Sequence, residues 1–348
     1  MNRLQTIDAD TLQSTAYEPV SFVVDDLLPQ GLHLLAGAPK IGKSWLALWL
    51  CLCAAQGKPL WTFATRPCEV LYLCLEDSFQ RIQSRLFDLT EDAPPTLHFA
   101  VMSQQLHNGL VEQIEQFLKE HPQTRLIVID TLQRIRTAGN DANAYASDYR
   151  DIGVLKALAD KHRIAILLVH HLLKMNDDDP MNMISGTTGL SGATDSNFVL
   201  RKSQRRENTA TLYCTGRDIP YRELALEFDG EDHVWKLLSD DCEQTEQPSE
   251  RILFLLSELL RRQPEISAPA KVLLEKIDPA GSEGWTPNSF SHQIRKSVDA
   301  LRRSGITVSF RKSNGDRLIC LKRADGVDDL TTENIVTIDP DNPPCFGV

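Results

Sequence analysis

Gly37-Ala38-Pro39-Lys40-Ile41-Gly42-Lys43-Ser44 fits the phosphate-loop pattern G-x-x-x-x-G-K-[ST] at every fixed position. Leu32–Ala36 before it reads as a short buried strand, and Trp45–Cys53 after it as a helix apolar on nearly all sides. A glycine-rich turn between strand and helix aims several backbone N–H groups, and the positive end of the helix, at one point. The stretch therefore predicts a nucleotide cradle built by Gly37, Ala38, Pro39, Lys40, Ile41, Gly42, Lys43, Ser44 and Trp45. Lys43 would reach the outer phosphates and Ser44 would hold Mg²⁺. A chance match to the bare pattern is the competing reading, and the flanking strand and helix weigh against it.

A chain of 348 residues that is 42% hydrophobic can bury a full core. That length suggests two domains, or one large domain and a small one. The net charge of −11 argues against a wholly basic nucleic-acid coat, though not against a local basic surface. No apolar run approaches the ~20 residues that span a bilayer, and Met1–Gln5 opens no secretory segment. A cytoplasmic protein with no membrane association is expected. The cysteines at 51, 53, 68, 74, 214, 242, 320 and 345 form no C-x-x-C pair, so buried reduced thiols are expected rather than disulfides or zinc.

Residues 1–20 show no period and read as an arm, and Ser21–Val24 as an edge strand. Glu69–Leu75 is a continuous apolar run ending in Glu76-Asp77-Ser78, which reads as a buried parallel strand with acids at its ligand-binding end. Leu126–Asp130 fits a Walker B strand whose carboxylate holds Mg²⁺. Ile164–Val169 is a further strand, with His170-His171 at its end. Two adjacent histidines cannot make a metal site alone, so a sensor beside the outer phosphate is the preferred reading. Gln133–Ser147 and Leu172–Ser191 read as mobile loops, and Arg201–Asn208 as a basic hairpin tip. Apolar strands and helices alternating from 31 to 200 predict an α/β domain with a mostly parallel, twisted sheet flanked by helices, spanning residues 21–238.

Residues 239–248 read as an acidic linker. From 249 to 323 the pattern is three helices (250–262, 268–276 and 286–304) and a hairpin turning at Asn314-Gly315, a small winged-helix-like α+β domain. It carries 14 Lys and Arg against 8 Asp and Glu. Arg295, Lys296, Arg302 and Arg303 on its third helix, and Arg311 and Lys312 on its hairpin, are the candidate nucleic-acid contacts. A solvated face or a protein dock is the alternative. Residues 324–348 have 6 acids and no base and read as a disordered tail.

The succession of phosphate loop, strand ending in Glu76, Walker B strand ending in Asp130 and strand ending in His170-His171 resembles the RecA-like ATPases. Among them it is most similar to the plasmid RepA-type hexameric helicases, over residues 20–238. The resemblance implies ATP and Mg²⁺ as cofactors and Glu76 as the general base. It implies Asp130 on Mg²⁺, and His170 or His171 as the γ-phosphate sensor. It also implies a homo-oligomeric ring, a hexamer in that family, with single-stranded DNA contacted by loops 134–147 and 172–191. A neighbouring subunit should supply an arginine. Phe198 stands where the family's arginine is sought; Arg217 is the substitute, with Arg201, Arg205 and Arg206 as further candidates. The C-terminal block suggests a version from a plasmid, phage or mobile element. Two readings follow: a ring-forming DNA helicase or translocase, or an ATP-switched DNA-binding protein without unwinding activity.

Overall fold

Asp8 caps the first element: its carboxylate accepts from Thr11 N at 2.9 Å and opens α1 (Ala9–Ser14). Six residues are too few to show a period, which is why the region read as an arm. The computed structural model describes all residues except 1–3, 5, 16–19, 137–143, 173–180, 182–183, 185–187, 203–206, 243–249, 314–315 and 324–348. They fall into two units: Val20–Thr245, and the described parts of Met1–Pro19 with those of Glu246–Val348.

In the first unit, β1 (Phe22–Val24) and β2 (Leu28–Pro29) pair with each other, Val24 also bridges to Thr65, and among the described residues neither strand joins the main sheet as an edge. Next come β3 (Gly31–Gly37), α2 (Lys43–Gln56), β4 (Glu69–Cys74), α3 (Phe79–Leu89) and β5 (Leu97–Ala100). Then follow α4 (Val111–Glu120), β6 (Thr124–Asp130), α5 (Leu132–Ile135), α6 (Ala144–His162) and β7 (Ala165–His171). The chain continues through α7 (Thr188–Ala193), β8 (Ser196–Arg201), β9 (Thr209–Gly216), β10 (Arg222–Phe228) and β11 (Trp235–Cys242). The sheet order is β11-β10-β9-β8-β3-β7-β6-β4-β5. The six strands from β8 to β5 are parallel, and β9, β10 and β11 extend one side antiparallel.

The parallel strands are buried on both faces, as their unbroken apolar runs require. One face carries α2, with Leu46, Leu50 and Cys53 in its core, and the other carries α4 and α6, with Ile114, Leu118, Ile152 and Leu155. Register aligns the strand ends. Gly37 pairs with His171, Cys74 with Asp130, and Asp130 with Val169. The phosphate loop, Glu76, Asp130 and His171 thus leave the sheet along one edge.

Three further stretches differ from their sequence reading, the first being the loop expected at 172–191, which enters α7 at Thr188 with Leu190 buried. Buried Leu132 and Ile135 make α5 part of the core, and α6 begins at Ala144, so the loop expected at 133–147 is shorter. Ser239–Cys242, read as the start of a linker, completes β11 against Arg222–Ala225. Its acids face solvent, and Asp240 pairs with Arg222, so a charged edge strand has the composition of a linker.

The second unit holds α8 (Glu250–Arg262), β12 (Glu265–Pro269), α9 (Ala270–Ile277), α10 (Pro287–Lys296), α11 (Val298–Arg303), β13 (Ile306–Ser313) and β14 (Asp316–Arg323). Its sheet runs β12-β14-β13, antiparallel. Ile252, Leu256, Phe290, Ile294 and Leu301 fill its core, and α1 packs on β13. β12 takes Ala268 and Pro269 out of the helix expected at 268–276, and is too short to carry a period of its own. The single helix expected over 286–304 breaks at buried Ser297, whose hydroxyl donates to Gln293 O at 2.8 Å, a back-bond that competes with helix continuation.

Candidate active site

The phosphate loop is shaped by two left-handed residues, Lys40 (φ +61°) and Gly42 (φ +107°). Successive N–H groups in such a turn make a concave anion receptor, and α2 starts directly after it. Only glycine suits position 42. A Cβ there would meet the Trp235 ring at 3.0 Å, quite apart from the backbone angle. Trp235 is fully buried, donates from Nε1 to Gly42 O at 3.3 Å, and accepts at its own carbonyl from Trp61 Nε1 at 2.6 Å.

Lys43 is 5% exposed, and its ammonium donates to Gly37 O at 2.8 Å and Ala38 O at 3.0 Å, with His171 Nδ1 at 3.5 Å. Burial pulls its pKa down to about 8 against the opposing pull of Asp130 and Glu76. Asp130, at the end of β6, is buried and accepts from Tyr72 OH at 3.0 Å and from the Ser44 hydroxyl. Burial raises its pKa, while Ser44, Tyr72 and Lys43 oppose the rise and Glu76 adds to it. A serine hydroxyl beside a buried carboxylate is a hard oxygen pair that suits Mg²⁺, so the donor set fits the ion.

Of the acids after β4, Asp77 is bound to Arg81 at 2.8 Å and Arg85 at 2.6 Å, and Ser78 caps α3. Glu76 is half exposed. It accepts from Thr131 Oγ1 at 3.3 Å and lies 3.5 Å from Arg134 Nε. Lys43, Ser44, Asp130 and Glu76 therefore converge, and Thr131 holds the glutamate. His171 lies beside Lys43, while His170 is buried within β7. Trp45 is stacked on His233 at 4.7 Å, with the Arg85 guanidinium 5.4 Å from its ring centre. Pro39, Lys40 and Ile41 complete the turn, with Ile41 buried.

Phe198 is buried in β8 against His33, a core position. Arg217 lies at the other end of the sheet from the phosphate loop of its own chain. It holds Asp195 at 3.1 Å, and Asp195 also accepts from Leu32 N at the start of β3. Arg201 ends β8, and Arg205, Arg206, half of loop 134–147 and most of loop 172–191 lie outside the described residues.

In the second unit, Arg295, Arg311, Lys312 and Arg317 line one groove between α10 and the β13–β14 hairpin. Arg295 lies over Phe310 at 5.1 Å, Arg311 donates to Ser267 Oγ at 3.1 Å, and Lys312 pairs with Asp10. Exposed Lys296 and Arg302 do not line it; the break at Ser297 separates α10 from the helix bearing Arg302 and Arg303. The seven described cysteines are free.

Sequence reasoning missed Trp235, Tyr72, Thr131 and Arg134. Tyr72 was within reach, because it lies two residues before Cys74, the partner of Asp130 in the sheet. Trp235 comes from 193 residues away, and no local signal announces it.

The AAA domain family matches residues 2–177, half of the chain. Among solved structures, one described as an ATPase domain superposes with a TM-score of 0.50 at 17% identity, covering 60% of this chain and 85% of that one. A DnaB-like replicative helicase, described with its interactions with primase, gives 0.50 and 17%, covering 60% of this chain and 59% of its own. The chain thus spans about three-fifths of that protein's length. No curated protein matches. At such identities the likeness is one of fold, and with the phosphate loop and sheet order it makes the large unit a RecA-like P-loop domain. The chain belongs to the AAA domain family.

Proposed function

We propose that the chain is an Mg²⁺-dependent ATPase that assembles as a ring and moves or opens DNA in the cytoplasm, in replication of a plasmid, phage or mobile element. The observation that carries this reading is the convergence of Lys43, Ser44, Asp130 and Glu76 on the mouth of the phosphate loop. Bound MgATP supplies the phosphoanhydride to be cleaved. Lys43 would neutralise the outer phosphates, Ser44 and Asp130 would hold the ion, and Glu76, held by Thr131 and Arg134, would orient the attacking water. The fold shared with a DnaB-like replicative helicase supports helicase-type work on single-stranded DNA. Among the described residues, no helix is long and apolar enough to cross a membrane.

A second reading, an ATP-switched DNA-binding protein without unwinding, is favoured by buried Phe198 and by Arg217 being engaged with Asp195. In either reading we take the second unit as winged-helix-like, with its basic groove facing duplex DNA or a replication protein. Mass measurement with and without a non-hydrolysable ATP analogue, then ATPase assay with single-stranded DNA, separates the two. Analogue-induced oligomers and several-fold stimulation are expected. Unstimulated hydrolysis with preference for one duplex sequence would favour the switch.

A further inference from the structure

The strand that ends in Glu76 begins with Glu69, and a different cluster gathers there. Glu69 opens β4, His98 is the second residue of β5, and His121 caps the C-terminus of α4. Five residue steps separate Glu69 from Cys74 along β4, about 17 Å, so this cluster lies at the end of the sheet away from the phosphate loop. One ligand atom from each of the three side chains lies within 4.8 Å of the other two. His121 Nδ1 is 3.4 Å from Glu69 Oε1. A tetrahedral ion with bonds of about 2.1 Å holds its ligand atoms about 3.4 Å apart.

Two further atoms point the same way. His98 Nε2 and Glu69 Oε2 are buried and have no hydrogen-bond partner among the described residues. Such atoms normally find one. An ion pair between protonated His121 and Glu69 would leave His98 Nε2 unanswered. The two imidazoles are also held in place: Phe117 stacks on His121 at 4.3 Å and meets His98 edge-on at 5.3 Å. The Glu69 and His121 side chains are 21% and 29% exposed, which leaves a path for an ion and for water as a fourth ligand.

We propose that Glu69, His98 and His121 form a binding site for a divalent transition metal of the Zn²⁺ type, separate from the Mg²⁺ of the nucleotide site. Two imidazole nitrogens and one carboxylate suit zinc, whereas Mg²⁺ and Ca²⁺ prefer all-oxygen shells. The ion would fasten edge strand β5 and the end of α4 to β4.

The test uses the full chain, stripped with a chelator and titrated with Co²⁺ in excess Mg²⁺. One Co²⁺ per chain is expected, with visible bands of a nitrogen and oxygen shell, displaced by Zn²⁺. His98→Gln and His121→Gln should each weaken binding at least about a hundredfold, beyond the ten- to hundredfold typical of an outer partner. Lys43→Ala should leave it intact. Zn²⁺ should also protect both histidines of the unmutated protein from diethylpyrocarbonate, a readout that needs no variant to fold. Substoichiometric binding, thiolate charge-transfer absorption, binding unchanged in both variants, or unprotected histidines would overturn the proposal.

Discussion

Lys43 carries its charge at a cost, and that cost makes a pH signature. Burial holds its pKa at about 8, below the ordinary lysine value. A bound phosphate would draw the proton back, so the free form has the lower pKa and the bound form the higher. Nucleotide affinity should therefore be full below pH 8 and fall as the pH rises above it, approaching tenfold per pH unit. Calorimetry in buffers of different ionisation enthalpy should show proton uptake on binding above that pH. Lys43→Met should abolish the uptake. At this scale much was legible: the cradle, Lys43, Ser44, Asp130 and Glu76 all lie in short stretches whose flanking residues set their geometry. Arg217 was not, because its partnership with Asp195 arises from strand pairing across a hairpin.

At the scale of elements, the β10–β11 hairpin acts as a clamp on the phosphate loop. Trp235 begins β11, at the far edge of the sheet in hydrogen-bond order, yet its ring lies against Gly42. Sequence patterning finds a hairpin there but cannot say what it curls over. Trp235→Ala should cost about 3–5 kcal/mol in denaturant unfolding, as for other large buried side chains, and should weaken nucleotide binding. Trp235→Phe should retain more of both. Equal nucleotide affinity in a folded Trp235→Ala protein would remove the clamp. The same limit explains the break at Ser297. The amphipathic pattern runs on through it, and only the buried hydroxyl bond shows where the helix divides.

For the whole molecule, charge is divided unevenly between the two units. The large unit holds the candidate nucleotide site, while the second gathers four cations in one groove beside Phe310. Sequence reading placed the basic block but scattered its cations over one long helix and a hairpin; tertiary packing selects the groove's members. Arg295→Glu with Arg311→Glu should weaken duplex DNA binding and flatten its dependence on salt by about two phosphate contacts. Basal ATP hydrolysis should stay unchanged. DNA binding equal to that of the unaltered protein would turn the groove toward a protein partner.

The most direct measurement is single-turnover ATP hydrolysis by Glu76→Gln in Mg²⁺, alongside nucleotide affinity. Glu76 faces Thr131 and Arg134 at the mouth of the loop, so binding should be unchanged and the rate lowered by about a hundredfold or more. Hydrolysis at the unaltered rate would contradict Glu76 as the general base.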